Sequence, residues 1–169
     1  MKTLGTSART VRCPPAPVST DDTRIAAHDL ERAIPYLLAR AGARMGNAFS
    51  QVVKPQGLSL SEWRVCASLH HQPQQTLSQL VLHASVDMST LSRIVDRLEK
   101  QGWVVRGRSE QDGRAVSLSL SESGRAKTRE LIPMAQHYEA TALADFSAAE
   151  TELLRGFLLR LYTNAEALD

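Results

Sequence analysis

At 169 residues, with 43% hydrophobic and 22% charged side chains and a formal net charge of +2, the chain suits one soluble globular domain with an ordinary core. No apolar run is long enough to cross a bilayer, and no apolar stretch followed by a cleavage site opens the chain, so neither a membrane protein nor a secreted one is expected. Two cysteines, Cys13 and Cys66, make no disulfide framework, which points to a reducing cytoplasm. Residues 1–60 carry 8 Lys/Arg against 4 Asp/Glu, residues 61–120 carry 7 against 6, and residues 121–169 carry 5 against 8. The acidic C-terminal part is a poor surface for a polyanion. The near-neutral middle means that any contact with DNA depends on where arginines sit, not on bulk charge.

Residues 1–22 hold Pro14, Pro15 and Pro17 among Ser and Thr without apolar periodicity, and are expected to form a flexible arm carrying Arg9 and Arg12. Asp21-Asp22-Thr23 offers a cap for a short helix through Ala33. Pro35 fits the first turn of a longer helix, which should stop before Pro55-Gln56-Gly57. Small residues inside it, Ala41, Gly42, Ala43 and Gly46, mark a surface that a second helix can approach closely. Ser59 or Ser61 starts the next helix, with Leu60, Trp63 and the segment Val65 to Leu69 as apolar contacts, ending near Gln72-Pro73. Thr76 then caps a short third helix, LSQLVLHA, and a turn at Ser85-Val86 follows.

The stretch Asp87 to Gln101 is the most informative. Leu91, Ile94, Val95 and Leu98 form one apolar stripe, Asp87 is a good N-cap, and Gly102 stands where a left-handed residue ends a helix. The other side carries Ser89, Thr90, Ser92, Arg93, Asp96, Arg97 and Lys100. A solvated surface helix has this pattern. So does a helix that enters a DNA major groove by its N-terminal end, where small hydroxyls permit close approach and arginine pairs two-pronged with guanine. Asp96 among phosphates is costly unless Arg93 or Lys100 pairs with it. Two short helices joined by a brief turn, the second with a polar face, form the pattern of a helix-turn-helix.

After Gly102 the period changes. Trp103, Val104 and Val105 begin one strand through Arg108, and AVSLSLS alternates with Val116, Leu118 and Leu120 on one face and Ser117, Ser119 and Ser121 on the other. Asp112-Gly113 between them is a hairpin signal, which sets Arg106, Arg108 and Arg114 near the tip of a two-stranded wing. Ser121 caps a long helix running to Phe146 with Pro133 as a kink. Ser147-Ala148-Ala149-Glu150 is a capping box opening a last helix with Leu153, Leu154, Phe157, Leu158, Leu161 and Tyr162 on one stripe. The expected fold is mainly α with a small two-stranded β wing. It has a flexible arm at 1–22 and a single domain at 23–169, whose winged helix-turn-helix spans 58–120. The helices at 23–57 and 121–169 are expected to pack on a second copy, with an intramolecular bundle as the alternative.

The segments LSLSEWRVCASL at 58–69, TLSQLVLHASVDMSTLSRIVDRLEKQGWVVR at 76–106, DGRAVSLSLSESGRA at 112–126 and FSAAE at 146–150 occur in order, and with them residues 34–165 resemble the MarR (multiple antibiotic resistance regulator) family of winged-helix transcription factors. The resemblance implies an obligate homodimer clasped by its terminal helices, a recognition helix in each major groove, and wing arginines in the flanking minor grooves. Ser89, Thr90, Ser92 and Arg93 fall at groove-facing positions, Asp112 and Arg114 match the wing's Asp-x-Arg, and Arg108 lies beside them. Gly113 stands where the family usually has arginine. The implied partner is a palindromic operator whose half-sites lie about one helical turn, ~34 Å, apart.

The resemblance also implies release by a small molecule bound between the first, second and fifth helices. Arg40, Arg44, Met45, Trp63, Cys66 and His70 are the candidate lining, and arginines beside aromatic groups suit an aromatic or phenolic acid. Cys66 as a redox switch is a rival, although a cysteine among Val65, Ala67 and Leu69 is more often a buried small hydrophobe. His70 and His71 diverge on a helix, and His28, His83 and His137 are scattered, so no metal or other cofactor is expected. Nothing pairs a nucleophile with a base or builds a phosphate loop, so an enzyme is not expected. A winged helix used for protein contact is the remaining alternative, set against the polarity of Ser89 to Arg93.

Overall fold

The computed structural model describes residues 29–84, 86–108 and 116–168. They belong to two compact units, one ending at Leu38 and the other beginning at Ala39. In the first, Asp29 caps a 3-10 turn, Leu30–Arg32, by accepting the Glu31 N–H at 3.1 Å. Helix α1, Ile34–Val53, starts directly after it with Pro35 in its first turn, as the missing N–H allows. Leu30, Ile34, Leu37 and Leu38 are exposed. The predicted cap Asp21-Asp22-Thr23 and the arm at 1–22 lie outside the described residues.

In the second unit, α1 buries Phe49 and Val53, gives way to a 3-10 turn at Lys54–Gln56, and is closed by Gly57 at φ 80°, a left-handed position suited to glycine. Helix α2, Leu60–His71, opens with a capping box: the Ser59 hydroxyl accepts the Glu62 N–H at 3.2 Å while the Glu62 carboxylate accepts the Ser59 N–H at 2.7 Å. Helix α3, Leu77–Ala84, and helix α4, Met88–Lys100, complete the helix-turn-helix. Leu91, Val95 and Leu98 of α4 are buried and Ile94 is half-buried, so the predicted stripe faces the core with Leu69 and Leu80. Gly102, at φ 74°, donates to the Glu99 carbonyl at 2.9 Å and Trp103 donates to Leu98 at 2.9 Å, a double closure that turns the chain out of α4 into the sheet.

The expected antiparallel pair of strands forms, and one further strand joins it. The sheet has three strands in the order β1-β3-β2, where β1 is Gln75–Thr76, β2 is Val104–Arg108 and β3 is Val116–Leu120, all antiparallel. A two-residue strand has no periodicity to read. What holds it is Gln75, which is buried. Its amide donates to the Gln72 carbonyl at 2.6 Å and the Ser68 carbonyl at 2.9 Å, so the buried polar group is satisfied. With neighbours on both sides, β3 buries Ser117 as well as Leu118 and Leu120, while Val116 is exposed. The predicted clean alternation of serines outward therefore fails at Ser117, whose hydroxyl donates to the Arg108 carbonyl at 3.3 Å.

Helix α5, Glu122–Ala142, is capped by Ser121 and contains Pro133 without ending there. It stops short of the predicted Phe146, because Phe146 N–H turns back to Leu143 and Ser147 takes the extended conformation that caps α6, Ala148–Ala165. Helix α6 buries none of its residues. Leu153, Phe157, Leu158, Leu159, Leu161 and Tyr162 are all exposed.

The start of α5 is clipped to the end of α4. Ser121 N–H donates to the Trp103 carbonyl at 2.9 Å, and the Ser121 and Ser123 hydroxyls donate to the Gly102 carbonyl at 2.6 and 2.8 Å. The approach is close enough that a Cβ on Gly124 would lie 2.0 Å from the Trp103 carbonyl oxygen. Gly124→Ala should therefore cost about 1–3 kcal/mol, the usual range for overpacking. A urea midpoint equal to that of the parent would contradict this reading of the contact.

Candidate nucleic-acid interface

The N-terminal end of α4 is built around Asp87. Held in extended backbone at φ −68°, ψ 159°, its carboxylate accepts the Thr90 N–H at 2.9 Å, the Ser89 hydroxyl at 2.6 Å and the Thr90 hydroxyl at 2.6 Å. Hydrogen bonds from the Ser89 hydroxyl first, then from the Thr90 hydroxyl and N–H, hold this carboxyl well below the usual carboxylate range, so it is charged throughout the physiological range. Ser89 and Arg93 are exposed, and Thr90 and Ser92 half-buried, along the face predicted to meet DNA. Arg93 makes no ion pair among the described residues.

Two other cations of this region are tied to carboxylates of the protein. Arg97 lies 3.0 Å from the carboxylate of buried Glu62, joining α4 to α2. Arg106 of β2 pairs with Asp96 and stands 3.4 Å from Glu99. Asp96 is thus neutralised as its position demands, but from the strand and not from Arg93 or Lys100. Arg106 faces α4, away from the predicted position near the wing tip. Arg108 is exposed at the end of β2. Asp112 and Arg114 lie outside the described residues.

A cavity of about 340 Å³ lies between α1, α2 and α5, lined by Gly42, Met45, Gly46, Phe49, Leu60, Trp63, Arg64, Ala135 and Tyr138. Phe49 meets Trp63 edge-on at 5.9 Å and Tyr138 at 5.0 Å, and the Tyr138 hydroxyl donates to the Met45 carbonyl at 2.6 Å. Of the six residues expected there, Met45 and Trp63 line it. Arg40 and Arg44 are on the exposed side of α1, and His70 is half-buried but does not line it. The cation that reaches the cavity is Arg64, one residue past Trp63, which sequence reasoning passed over. No signal in the sequence marks it, since a lone arginine on an amphipathic helix is ordinarily surface.

Cys66 is buried in the core and its thiol is pushed up to about 12, mainly by burial and then by the nearby Glu62 carboxylate. A thiol that stays protonated at neutral pH is a poor nucleophile, which counts against a redox switch there. Among the described residues no group of three or more His, Cys, Asp or Glu side chains is placed to hold a metal, and no helix is long and apolar enough to cross a membrane.

Comparison with known proteins places this geometry. The MarR family model matches residues 58–116, the segment from Leu58, just before α2, to the first residue of β3. The HTH-type transcriptional regulator PecS of Dickeya dadantii is 30% identical over 127 residues, covering 73% of this chain and 76% of its own. The HTH-type transcriptional repressor Rv2887 of Mycobacterium tuberculosis is 29% identical over 126 residues, covering 75% and 91%. A solved structure of a probable transcriptional regulator from Pseudomonas aeruginosa, 32% identical, superposes with a TM-score of 0.66 over 78% of this chain and 98% of that one. Its relatives are transcriptional regulators, its fold is theirs, and the chain belongs to the MarR family of DNA-binding transcriptional regulators.

Proposed function

We propose that the chain is a homodimeric, sequence-specific repressor that binds a palindromic operator and releases it when an aromatic acid occupies the cavity beside Trp63. In this reading residues 58–120 form the DNA-binding part, and 23–57 and 121–169 supply the dimerisation helices. The observation that carries it is the division of the arginines. Arg97 and Arg106 are tied to carboxylates, while Arg93 stands exposed beside Ser89 and Ser92 on the polar face of α4. A side chain with five donors and no ion-pair partner among the described residues, one turn into a helix of groove-entering design, suits guanine O6 and N7. Arg108, Asp112 and Arg114 are assigned to the wing, with arginine favoured in the negative potential of a narrow minor groove.

The dimer follows from α6. A helix with no buried residue and six exposed large apolar side chains needs a partner surface, because such a patch on a monomer favours association. The effector class is supported by Arg64 lining an otherwise largely apolar, aromatic cavity, which fits a flat ring bearing one carboxylate.

Gel-shift titration against a duplex selected from random sequence by the purified protein tests the first reading. Arg93→Ala should lose roughly 10- to 100-fold in affinity and relax base preference, whereas Arg114→Ala should weaken all sequences alike and reduce the salt slope by about 1. Unchanged titrations for both variants would remove the proposed docking. Sedimentation of Phe157→Glu should show a monomer where the parent is a dimer, with loss of operator binding, and a parent that sediments as a monomer at micromolar concentration refutes the dimer. Calorimetry with benzoate and hydroxybenzoates should give heats that fall at least tenfold in affinity in Arg64→Met, while the matching benzamides bind both proteins alike. Absence of heat for every acid, with operator affinity unaltered, would eliminate the effector class.

A further inference from the structure

The first turn of α4 carries more than a cap. Ser89 and Thr90 each place a hydroxyl proton on the Asp87 carboxylate, one on each oxygen, at 2.6 Å. A free serine or threonine hydroxyl serves as donor or acceptor and so reads most base edges. With the proton committed, only oxygen lone pairs face outward. Ser89 is exposed and Thr90 half-buried, so neither is withdrawn from a partner. The carboxylate is charged and makes no ion pair among the described residues, and Arg97 and Arg106 are held elsewhere, by Glu62, Asp96 and Glu99.

We infer that Asp87 is a specificity-determining residue that turns Ser89 and Thr90 into acceptor-only readers, directing them to bases that offer an amino group in the major groove, adenine N6 or cytosine N4. The inference rests on the reading that α4 enters that groove. Two effects act together. Adenine and cytosine supply the missing donor, and the guanine O6 and thymine O4 acceptors meet lone pairs with no proton between them. Discrimination then comes from repulsion of the wrong base as much as attraction of the right one. The same carboxylate stands near the DNA backbone and lowers affinity for every sequence, so selectivity is gained at the expense of general binding. Arg93, a pure donor one turn further on, complements this by reading guanine.

The test uses the full chain and the best duplex it selects from a random pool. Single positions in each half-site are exchanged between amino-bearing and carbonyl-bearing bases on the contacted strand, and affinities are compared for the parent, Asp87→Asn, Ser89→Ala and Thr90→Val. Asparagine keeps an oxygen for the Thr90 N–H, so the helix cap survives, but it removes the charge and one acceptor. The expected result is a five- to tenfold loss of amino-over-carbonyl discrimination at one or two positions in Asp87→Asn, with affinity for unrelated duplex equal to or above the parent's. Ser89→Ala or Thr90→Val should lose the same discrimination. A parallel fall in binding to all sequences would mean a cap and nothing more, and would overturn the inference, as would unchanged discrimination in Asp87→Asn. A parent that binds no duplex at all would instead refute the groove reading on which it rests.

Discussion

Helix α4 is tied to α2 by one buried carboxylate with two tasks. Glu62 closes the first turn of α2 by accepting the Ser59 N–H at 2.7 Å, and its other oxygen receives Arg97 of α4 at 3.0 Å. A carboxylate removed from water is tolerated only when its lone pairs are filled, and here a backbone amide and a guanidinium fill them. Arg97 keeps much of its side chain in solvent, so the pair contributes less to overall stability than a fully enclosed one. Its larger effect is geometric, because the bond fixes the rotation of α4 about its own axis relative to α2. That rotation decides which side chains meet a partner, and the buried stripe of Leu91, Val95 and Leu98 sets it from the opposite side.

Once α4 is fixed, the distribution of charge becomes intelligible. The middle of the chain is close to neutral, which is unusual for a surface that meets a polyanion. Pairing resolves this. Asp96 and Glu99 are absorbed by Arg106, and Glu62 by Arg97, so the carboxylates lie inside local pairs while Arg93, Lys100 and Arg108 face outward. Among the described residues of this segment Asp87 is the exception, an outward carboxylate whose hydrogen bonds keep it ionised. The field at the surface is therefore made by a few placed groups, and substitution of any one of them alters a large share of it.

Much of this was legible from residue patterns because local physics and tertiary structure agree here. Ser59, Asp87, Ser121 and Ser147 cap helices where their side chains predict, and Gly57 and Gly102 end them with positive φ. What escaped notice depends on contacts distant in sequence. Strand β1 is too short to show a period and exists because β3 offers it an edge. Ser117 is buried for the same reason. Arg106 and Asp96 are ten residues apart on different elements, and neither announces the other. Of the residues that the sequence suggests for a ligand pocket, Met45 and Trp63 line the cavity between α1, α2 and α5, and the cation lining it is Arg64. Which side of α2 faces α1 is settled by Phe49, Trp63 and Tyr138 packing together, and helical periodicity alone does not specify it.

Helix α2 connects the cavity to α4 through adjacent residues. Leu60, Trp63 and Arg64 line the cavity, while Glu62, between them in sequence, holds Arg97. A compound entering between α1 and α5 meets the element to which α4 is pinned. Close-packed helices answer such a wedge by shifting as units. To lower operator affinity a hundredfold, the compound must favour the displaced arrangement by about 2.7 kcal/mol over the operator-bound one. That is within reach of one charge-assisted contact to Arg64 made in only one arrangement. A ring that merely fills the apolar space, with equal contacts in both arrangements, binds without releasing DNA. On the proposed function, the position of Arg64 relative to Glu62, more than the size of the cavity, is what would separate an effector from a silent occupant.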